Sequence, residues 1–349
     1  MSENYAGSEF KKYTTMLRDI LKELPPFCQE FFRGIQNDTM VRTRYAYAFD
    51  LRIFFRFLVT QPEFADKTVT SLSFDDLDKV TTSTVEDFLS YISYYTDEEN
   101  NEYINGDRAK ARKLSTLRAF YKYFCRKEKL TTNAPSLVNQ PAIRDKAIIR
   151  LEPNEVADLL DAVQSGEGLN ERQKQFHKRT QVRDLAILTL FLGTGIRISE
   201  LVGINIDDIN FSENEFSIIR KGGNQDILVF GDEARAALLS YMLEREQMNA
   251  AEGHEEAMFL SLQNKRITVR AVEYLVKKYA AIVTPQKRIS PHKLRSTYGT
   301  NLYRETGDIY LVADVLGHKD VNTTRRHYAA LEDERRRRAA NAVHLREKK

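Results

Sequence analysis

Cysteine is scarce in this sequence, and long hydrophobic runs are missing. Cys28 and Cys125 have no CxxC or Cys/His spacing, so the sequence predicts neither a disulfide framework nor a zinc site. No stretch approaches the ~20 apolar residues that a membrane span needs, and the polar N-terminus is unlike a signal peptide. A P-loop for nucleotide phosphates is missing too. We therefore expect a cytoplasmic protein that does not use ATP.

The composition predicts a folded chain with room for two domains. The sequence has 349 residues, of which 42% are hydrophobic and 30% charged, as in ordinary globular proteins. Its 53 basic residues are nearly balanced by 50 acidic ones, giving a formal net charge of only +3. This sum alone does not indicate a nucleic-acid-binding protein, so the distribution of the basic residues matters more.

The first half of the chain, to about Thr132, has helical periodicity almost throughout. A start signal at Asp38 and Thr39 precedes an apolar stripe that ends at Leu58. Three basic side chains fall elsewhere on this helix: Arg44, Arg52 and Arg56. They form either a solvated basic face or a set of DNA contacts, and the helix alone does not decide between the two.

A second helix, over residues 108–129, is basic and amphipathic. Asp107 and Glu128 are its only nearby acids, and aromatic and leucine residues alternate with its cations. Such a helix can enter a major groove or lie along phosphates. Its candidate DNA contacts are Lys110, Arg112, Lys113, Arg118 and Lys122. The proline-containing segment 133–150 is then expected to be an interdomain linker, or else a compact loop.

A second domain is expected from Leu151, where Pro153 opens a helix. Residues 164–181 are polar and charged and are interpreted as a surface loop. The apolar helix that follows is stopped by glycines at 193 and 195, and Arg197 then stands between two isoleucines. An arginine in such surroundings needs an anionic partner. That partner is either an internal carboxylate, such as Glu200, or a substrate phosphate.

Two short strands near residues 216–219 and 226–230 flank a glycine turn, which predicts a hairpin with Lys221 at its rim. Most hairpin lysines are simply solvated. Further on, Pro291 starts a helix on which His292 and Arg295, three residues apart, share one face. Another helix, over 309–316, is expected to end at Gly317.

After that glycine, His318 lies at a turn and Tyr328 about one turn into the next helix. Taken together, these polar groups suit cleavage of a phosphodiester. Arg197 and Arg295 would bind phosphate oxygens bidentately, and His318 would add a donor. Tyr328 is the candidate nucleophile, with His292 taking its proton. Since guanidinium groups supply the positive charge, we expect neither a metal nor a cofactor.

The order of these motifs resembles the tyrosine recombinases, or phage integrase family, and in particular their Xer-type branch. The motifs are residues 194–201, Lys221 in a hairpin, residues 292–295, residues 316–318 and Tyr328. Residues 47–51 and 111–115 resemble the family's core-binding domain, and residues 151–155 resemble the start of its catalytic domain. The resemblance therefore covers most of the chain.

This resemblance implies a mainly α fold with a small antiparallel β-sheet, arranged as a two-domain C-shaped DNA clamp. A helical, SAM-like core-binding domain (1–132) and the linker (133–150) would precede a mixed α/β catalytic domain (151–330). The tail, 331–349, contains four consecutive arginines followed by apolar residues. It is either a solvated basic tail or a helix that docks onto a neighbouring protomer.

The implied activity is site-specific recombination through a 3′-phosphotyrosyl intermediate. The protein would act as a tetramer on double-stranded DNA and would be monomeric or weakly associated in the absence of DNA. Lys221 would protonate the leaving 5′ oxygen. The nine residues between His318 and Tyr328 are one more than the Xer-type pattern, so Tyr303 and Tyr310 stay as alternative nucleophiles. Relaxation of DNA in the manner of type IB topoisomerases, or DNA binding without catalysis, are the alternative functions.

Overall fold

The chain divides into two compact units. In a computed structural model that describes residues 5–97, 99–143, 149–220 and 223–317, one unit comprises Glu3–Lys146 and the other Ala147–Lys349, with Met1–Ser2 assigned to the latter. We call them the N-terminal and the C-terminal unit and describe each by itself. Among the described residues, no helix is both long and apolar enough to cross a membrane.

The N-terminal unit is helical with one small hairpin. Its helices are α1 (Tyr5–Lys22), α2 (Cys28–Gly34), α3 (Val41–Leu58), α4 (Phe74–Asp78), α5 (Thr82–Tyr91), α6 (Asp107–Cys125) and α7 (Ala134–Leu137). Its strands are β1 (Tyr94–Thr96) and β2 (Glu102–Ile104).

An aromatic core joins the two long basic helices of this unit. Phe54 and Phe55 of α3 and Phe120 and Phe124 of α6 are fully buried. The rings of Phe55 and Phe120 meet edge to face with centroids 5.9 Å apart. Fully burying one such side chain contributes about 1.5–3 kcal/mol to folding. The apolar stripes of α3 and α6 therefore fix which sides of these helices remain for their basic residues.

The acidic segment after α5, in a half of the chain whose periodicity predicts helices almost throughout, forms the turn of the hairpin β1–β2. Asp97 organises that turn because its carboxylate accepts hydrogen bonds from the backbone N–H groups of Glu99 and Asn101, each at 2.9 Å. Tyr95 pairs with Tyr103 across the strands, and the two rings stack at 5.0 Å. Side chain to backbone bonds and cross-strand aromatic pairing thus replace the hydrophobic alternation that usually predicts a strand.

The C-terminal unit contains seven described helices and a small sheet. The helices are α8 (Pro153–Ser165), α9 (Glu171–Thr194), α10 (Ile198–Gly203), α11 (Asp232–Glu246), α12 (Val269–Val283), α13 (Pro291–Thr306) and α14 (Ile309–Val315). The strands are β3 (Ile209–Asn210), β4 (Glu215–Ile219) and β5 (Gln225–Val229). They form an antiparallel sheet in the order β3-β4-β5. The predicted fold class, mainly α with small antiparallel sheets, is confirmed.

Helix α9 lies at the centre of this unit and packs against α8, α11 and α13. It begins at Glu171, so the interpretation of residues 164–181 as a surface loop was wrong for most of that segment. The side chain of Asn170 caps the helix by accepting from the backbone N–H of Gln173 at 2.9 Å. One turn later, the buried ring of His177 bonds the hydroxyl of Tyr279 at 3.0 Å. A cap and a buried polar contact hold a helix that lacks an apolar stripe there.

Candidate active site

A tight junction between α9 and α10 sets the position of Arg197. Gly195 ends α9 in the left-handed conformation, with φ of +62°. A Cβ atom at this glycine would lie 2.5 Å from the ring of Tyr298 and 2.9 Å from Leu316. Only glycine fits both the backbone angle and the close approach. The chain therefore turns within two residues of α9 and places Arg197 at the N-terminal cap of α10.

The guanidinium of Arg197 bonds one carboxylate and two backbone carbonyls. Nη1 donates to Glu200 Oε1 at 2.8 Å, while Glu200 Oε2 accepts from the Arg197 backbone N–H at 2.9 Å. Nη2 donates instead to the carbonyl oxygens of Leu316 and Gly317, at 3.2 and 3.1 Å. Glu200, one of the two anionic partners expected from the sequence, thus orients the guanidinium. Its other edge faces neutral acceptors.

Arg295 also bonds the carbonyl oxygen of Leu316. Its side chain on α13 is 6% exposed, and it donates to the carbonyl of Gly195 at 2.6 Å and to that of Leu316. Arg197 and Arg295, which lie far apart in the sequence, therefore both hydrogen-bond Leu316 O. Two positive forks converge on one acceptor atom.

The shared acceptor belongs to the C-terminal end of α14. The last carbonyls of a helix have no intrahelical partner, and arginines can satisfy them. Gly317 follows in the left-handed conformation, with φ of +57°, as predicted for the residue that ends this helix. Gly317 directly precedes His318 in the sequence, so the arginine pair lies beside the residue from which the chain continues to His318 and Tyr328.

His292 lies on α13, one turn before Arg295. The residue is exposed, yet desolvation by the protein around the ring lowers its pKa from the ordinary 6.5. The positive charges of Arg295, then Arg197, then Lys293 lower the pKa further. Both arginines thus act electrostatically on this imidazole, which ties it to the same site. A neutral ring at pH 7 can accept a proton.

Sequence reasoning missed Arg220, the residue before Lys221. Its guanidinium donates to the carbonyl of Val315 at 3.1 Å and lies 3.5 Å from Glu200 Oε2. Phe216 and Ile218 of β4 are buried, and period-2 alternation puts residue 220 on the same side of the chain. This alternation was the available signal.

Three residues of the predicted constellation lie outside the described residues: Lys221, His318 and Tyr328. The same holds for the tail, 331–349. Of the alternative nucleophiles, Tyr303 is buried beside Val312 and Leu316, whereas Tyr310 is 71% exposed on α14. A buried phenol in a hydrophobic cluster is poorly placed to attack DNA.

Two of the three predicted DNA contacts of α3 form ion pairs within the protein. Arg52 and Arg56 both pair with Glu23, with N–O distances of 3.2 and 3.0 Å. Arg44 is half-buried, and its Nε atom has no hydrogen-bond partner among the described residues. Two of the three arginines are therefore partly neutralised in the DNA-free protein.

The basic residues of α6 fall into different environments. Arg112 pairs with the buried Asp50, and Lys113 is itself buried and donates to Asn105 at 3.2 Å. Arg118 donates to the backbone carbonyls of Pro135 and Val138, at 3.0 and 2.6 Å. By contrast, Lys122 is exposed and Lys110 half-buried. Lys113 and Arg118 therefore have internal contacts that account for their presence without DNA.

Comparison with known proteins identifies the family. The model of the phage integrase family matches residues 149–335, more than half of the chain. The chain belongs to this family. The tyrosine recombinase XerC of Caldanaerobacter subterraneus subsp. tengcongensis is 33% identical over 329 residues, covering 91% of this chain and 86% of that protein. XerC of Thermodesulfovibrio yellowstonii is 29% identical over 296 residues, covering 83% and 86%.

Solved structures show the same fold. The XerH site-specific recombinase, in a post-cleavage complex with palindromic difH substrate, aligns with a TM-score of 0.63 and 16% identity over 95% of this chain and 94% of that one. The resemblance to Xer-type tyrosine recombinases is thus confirmed, and with it the prediction of an enzyme for site-specific DNA recombination, which breaks and rejoins DNA. Neither topoisomerase-like relaxation nor binding without catalysis is favoured.

Proposed function

We propose that the arginines at the C-terminal end of α14 bind the scissile phosphate of a recombination site and that Tyr328 attacks this phosphate. The observation that carries the proposal is the shared acceptor, since Arg197 and Arg295 both donate to Leu316 O. Two guanidinium groups aimed at one oxygen suit the non-bridging oxygens of a phosphodiester. On binding DNA, those oxygens would replace the carbonyl as acceptors.

The reaction balances without an external energy source. The Tyr328 oxygen forms a bond to phosphorus, the bond from phosphorus to the 5′ oxygen breaks, and a 3′-phosphotyrosyl ester results. Arg197, Arg295 and His318 stabilise the charge on the phosphate oxygens. A second 5′ hydroxyl then attacks the ester and releases the tyrosine. If that hydroxyl comes from another duplex, the strands are exchanged.

Two proton transfers accompany cleavage. His292 is the acceptor for the Tyr328 proton, which its lowered pKa supports because the ring is neutral at pH 7. Lys221 is the donor for the leaving 5′ oxygen.

Double-stranded DNA is the proposed partner, held by both units. We assign the core-binding role to the N-terminal unit, with Lys110, Arg112 and Lys122 as its DNA contacts on α6, and catalysis to the C-terminal unit. The XerH neighbour was solved on its difH substrate, which supports a DNA site of comparable kind here. We propose a tetramer on two duplexes, and a cytoplasmic location where such DNA is found.

The test requires a substrate, which is obtained by selection. Duplexes retained by immobilised Tyr328→Phe protein are recovered from a randomised library and sequenced, and the enriched sequence is called the selected duplex. A version with a nick just beyond the cleavage point lets the short 5′-hydroxyl fragment dissociate, so that the covalent adduct accumulates.

Wild-type protein is expected to give an adduct that survives denaturation, with the DNA attached to the peptide containing Tyr328. Tyr328→Phe should give none, whereas Tyr310→Phe, which changes an exposed tyrosine of α14, should react as wild type does. An adduct that persists in Tyr328→Phe would refute the nucleophile assignment. Tight binding of the selected duplex with no adduct for any tyrosine would refute the proposed catalysis.

A further inference from the structure

Arg220 occupies a position that the proposed chemistry leaves without a role. Its side chain is only 10% exposed, although it is a charged residue at the end of a short strand. Burying a guanidinium is costly unless hydrogen bonds and charges compensate for the lost water. The contacts of Arg220 therefore indicate which role this buried side chain has.

The guanidinium joins three separate elements. Nε donates to Asp226 Oδ2 on β5 at 2.7 Å, and Nη2 donates to Val315 O at the end of α14 at 3.1 Å. Nη1 lies 3.5 Å from Glu200 Oε2 on α10. The hydrogen bond from Arg220 lowers the pKa of Asp226 more than any other influence, so the carboxylate stays charged at pH 7.

Gly317 packs directly against the same group. A Cβ atom added there would lie 2.9 Å from Arg220 Cζ and 3.0 Å from Nε. The Arg220 side chain is thus enclosed by the hairpin strand β5, the Glu200 carboxylate and the backbone that leads into His318. In the sequence, Lys221 follows Arg220 directly.

We propose that Arg220 is a positioning residue that fixes the β4–β5 hairpin to the end of α14 and to the Arg197–Glu200 pair, and so fixes where the chain enters Lys221. The inference rests on the proposed function, in which Lys221 protonates the leaving 5′ oxygen. A planar, permanently charged guanidinium presents its nitrogens in a fixed geometry toward three elements, whereas the compact ammonium of lysine on a flexible stem does not reproduce that geometry. Displacing an acid by about 1 Å can cost on the order of 100-fold in rate.

The experiment compares two versions of the nicked selected duplex. One has the natural 5′ oxygen at the scissile bond, and the other has sulfur in its place. A thiolate leaves without a proton, so the sulfur version does not need the acid. Arg220→Ala is expected to slow adduct formation about 10- to 100-fold on the oxygen substrate and to approach the wild-type rate on the sulfur substrate, and the same rescue is expected for Lys221→Ala.

Controls separate positioning from folding and from phosphate binding. Gln225→Ala, an exposed residue of the same hairpin, should react as wild type does, and Arg220→Lys and Asp226→Asn should show smaller losses with the same rescue by sulfur. A general folding defect would slow both substrates equally. Rescue by a methylphosphonate at the scissile position, rather than by sulfur, would place Arg220 on the phosphate itself and overturn the inference.

The two proposals fail in different ways. If wild-type protein forms no adduct with either substrate, the proposed function is wrong. If wild type reacts and sulfur rescues Lys221→Ala but not Arg220→Ala, the function stands and the positioning role is wrong. An unimpaired Arg220→Ala on the oxygen substrate also refutes it.

Discussion

The arginines that pair with carboxylates on α3 and α6 and the two arginines that bond Leu316 O have different kinds of acceptor. In the N-terminal unit, Arg52 and Arg56 pair with Glu23, and Arg112 pairs with Asp50. In the C-terminal unit, Arg295 donates to two backbone carbonyls, and Arg197 turns one edge of its guanidinium to carbonyls as well. Carboxylates cancel the arginine charge, whereas carbonyls satisfy its hydrogen bonds and leave the charge in place.

The kind of acceptor therefore indicates whether an arginine stabilises the fold or is available to bind a phosphate. A phosphate that displaces a carboxylate from arginine must also overcome the attraction between two full charges. One that displaces a carbonyl exchanges a dipole for a charge and gains energy. Glu200 is consistent with this division, because it fixes Arg197 from one side and leaves the edge toward Leu316 for exchange.

The largest expected effect comes from replacing one arginine that bonds carbonyls and, for comparison, one that pairs with a carboxylate. Arg295→Ala should reduce the single-turnover rate of adduct formation on the selected duplex by about 100- to 1000-fold, since it removes charge stabilisation from the transition state. Arg56→Ala, which removes an arginine paired with Glu23, should leave that rate near wild type when protein is saturating. A methylphosphonate at the scissile position, which carries no such charge, should restore much of the Arg295→Ala rate. Equal losses of rate in both variants would contradict the distinction between carbonyl-bonded and carboxylate-paired arginines.

The acid limb of the rate profile tests the same cluster of charges. The lowered pKa of His292 means that the ring stays neutral as pH falls through 6.5 and becomes protonated only below it. The decline in adduct formation on the acid side should therefore be centred below pH 6.5. His292→Gln should lose about 100-fold at pH 7, as for removal of a general base, and flatten this limb. A limb centred above pH 6.5 would contradict the assignment.

Local patterns were sufficient to predict much of this site. Helical spacing and Gly317 predicted α14 and its end, and the isoleucines around Arg197 predicted an anionic partner, which is Glu200. Arg197 and Arg295 were predicted to act together on phosphate oxygens. Their shared bond to Leu316 O and the place of Arg220 beside it could not be predicted, because both depend on how α9, α13 and the hairpin pack. No local signal links residues so distant in sequence.

Elsewhere, the misses have a common cause. The hairpin β1–β2 and the first turns of α9 are polar, so hydrophobic periodicity did not indicate them. They are held by side chains bonded to backbone, such as Asp97, and by the contact between His177 and Tyr279. Side-chain contacts, rather than hydrophobic periodicity, therefore determine the secondary structure of these segments.

Histidines distinguish the two units in a further way, since the N-terminal unit contains none. Burial, and then the charge of Lys278, lower the pKa of the buried His177 below 6.5. As pH falls below 6.5, the unfolded chain gains a proton that the folded protein does not, so stability is lost, by about 1.4 kcal/mol for each unit of lowering. Hydrogen exchange at pH 7 and 5.5, corrected for intrinsic rates, should show weaker protection in α9 and α12 at the lower pH. His177→Gln should reduce this dependence, and the matched change His254→Gln should not.

The smallest expected effect concerns the paired arginines of α3. Glu23→Gln removes the charge that Arg52 and Arg56 share; the exposed pairs themselves contribute only about 0–1 kcal/mol to stability. If Arg52 and Arg56 then reach phosphates, binding of the selected duplex should tighten, and the slope of log affinity against log salt should steepen by about 0.9 per added contact. Lys122→Ala, which removes an exposed cation of α6, should make the slope shallower by a similar amount. Lys113→Met, which replaces a buried lysine, should lower the free energy of unfolding and leave the slope unchanged. Titrations of labelled duplex across a salt series measure all three. An unchanged slope in Glu23→Gln would mean that Arg52 and Arg56 face away from DNA, and that carboxylate pairing in this unit serves the fold alone.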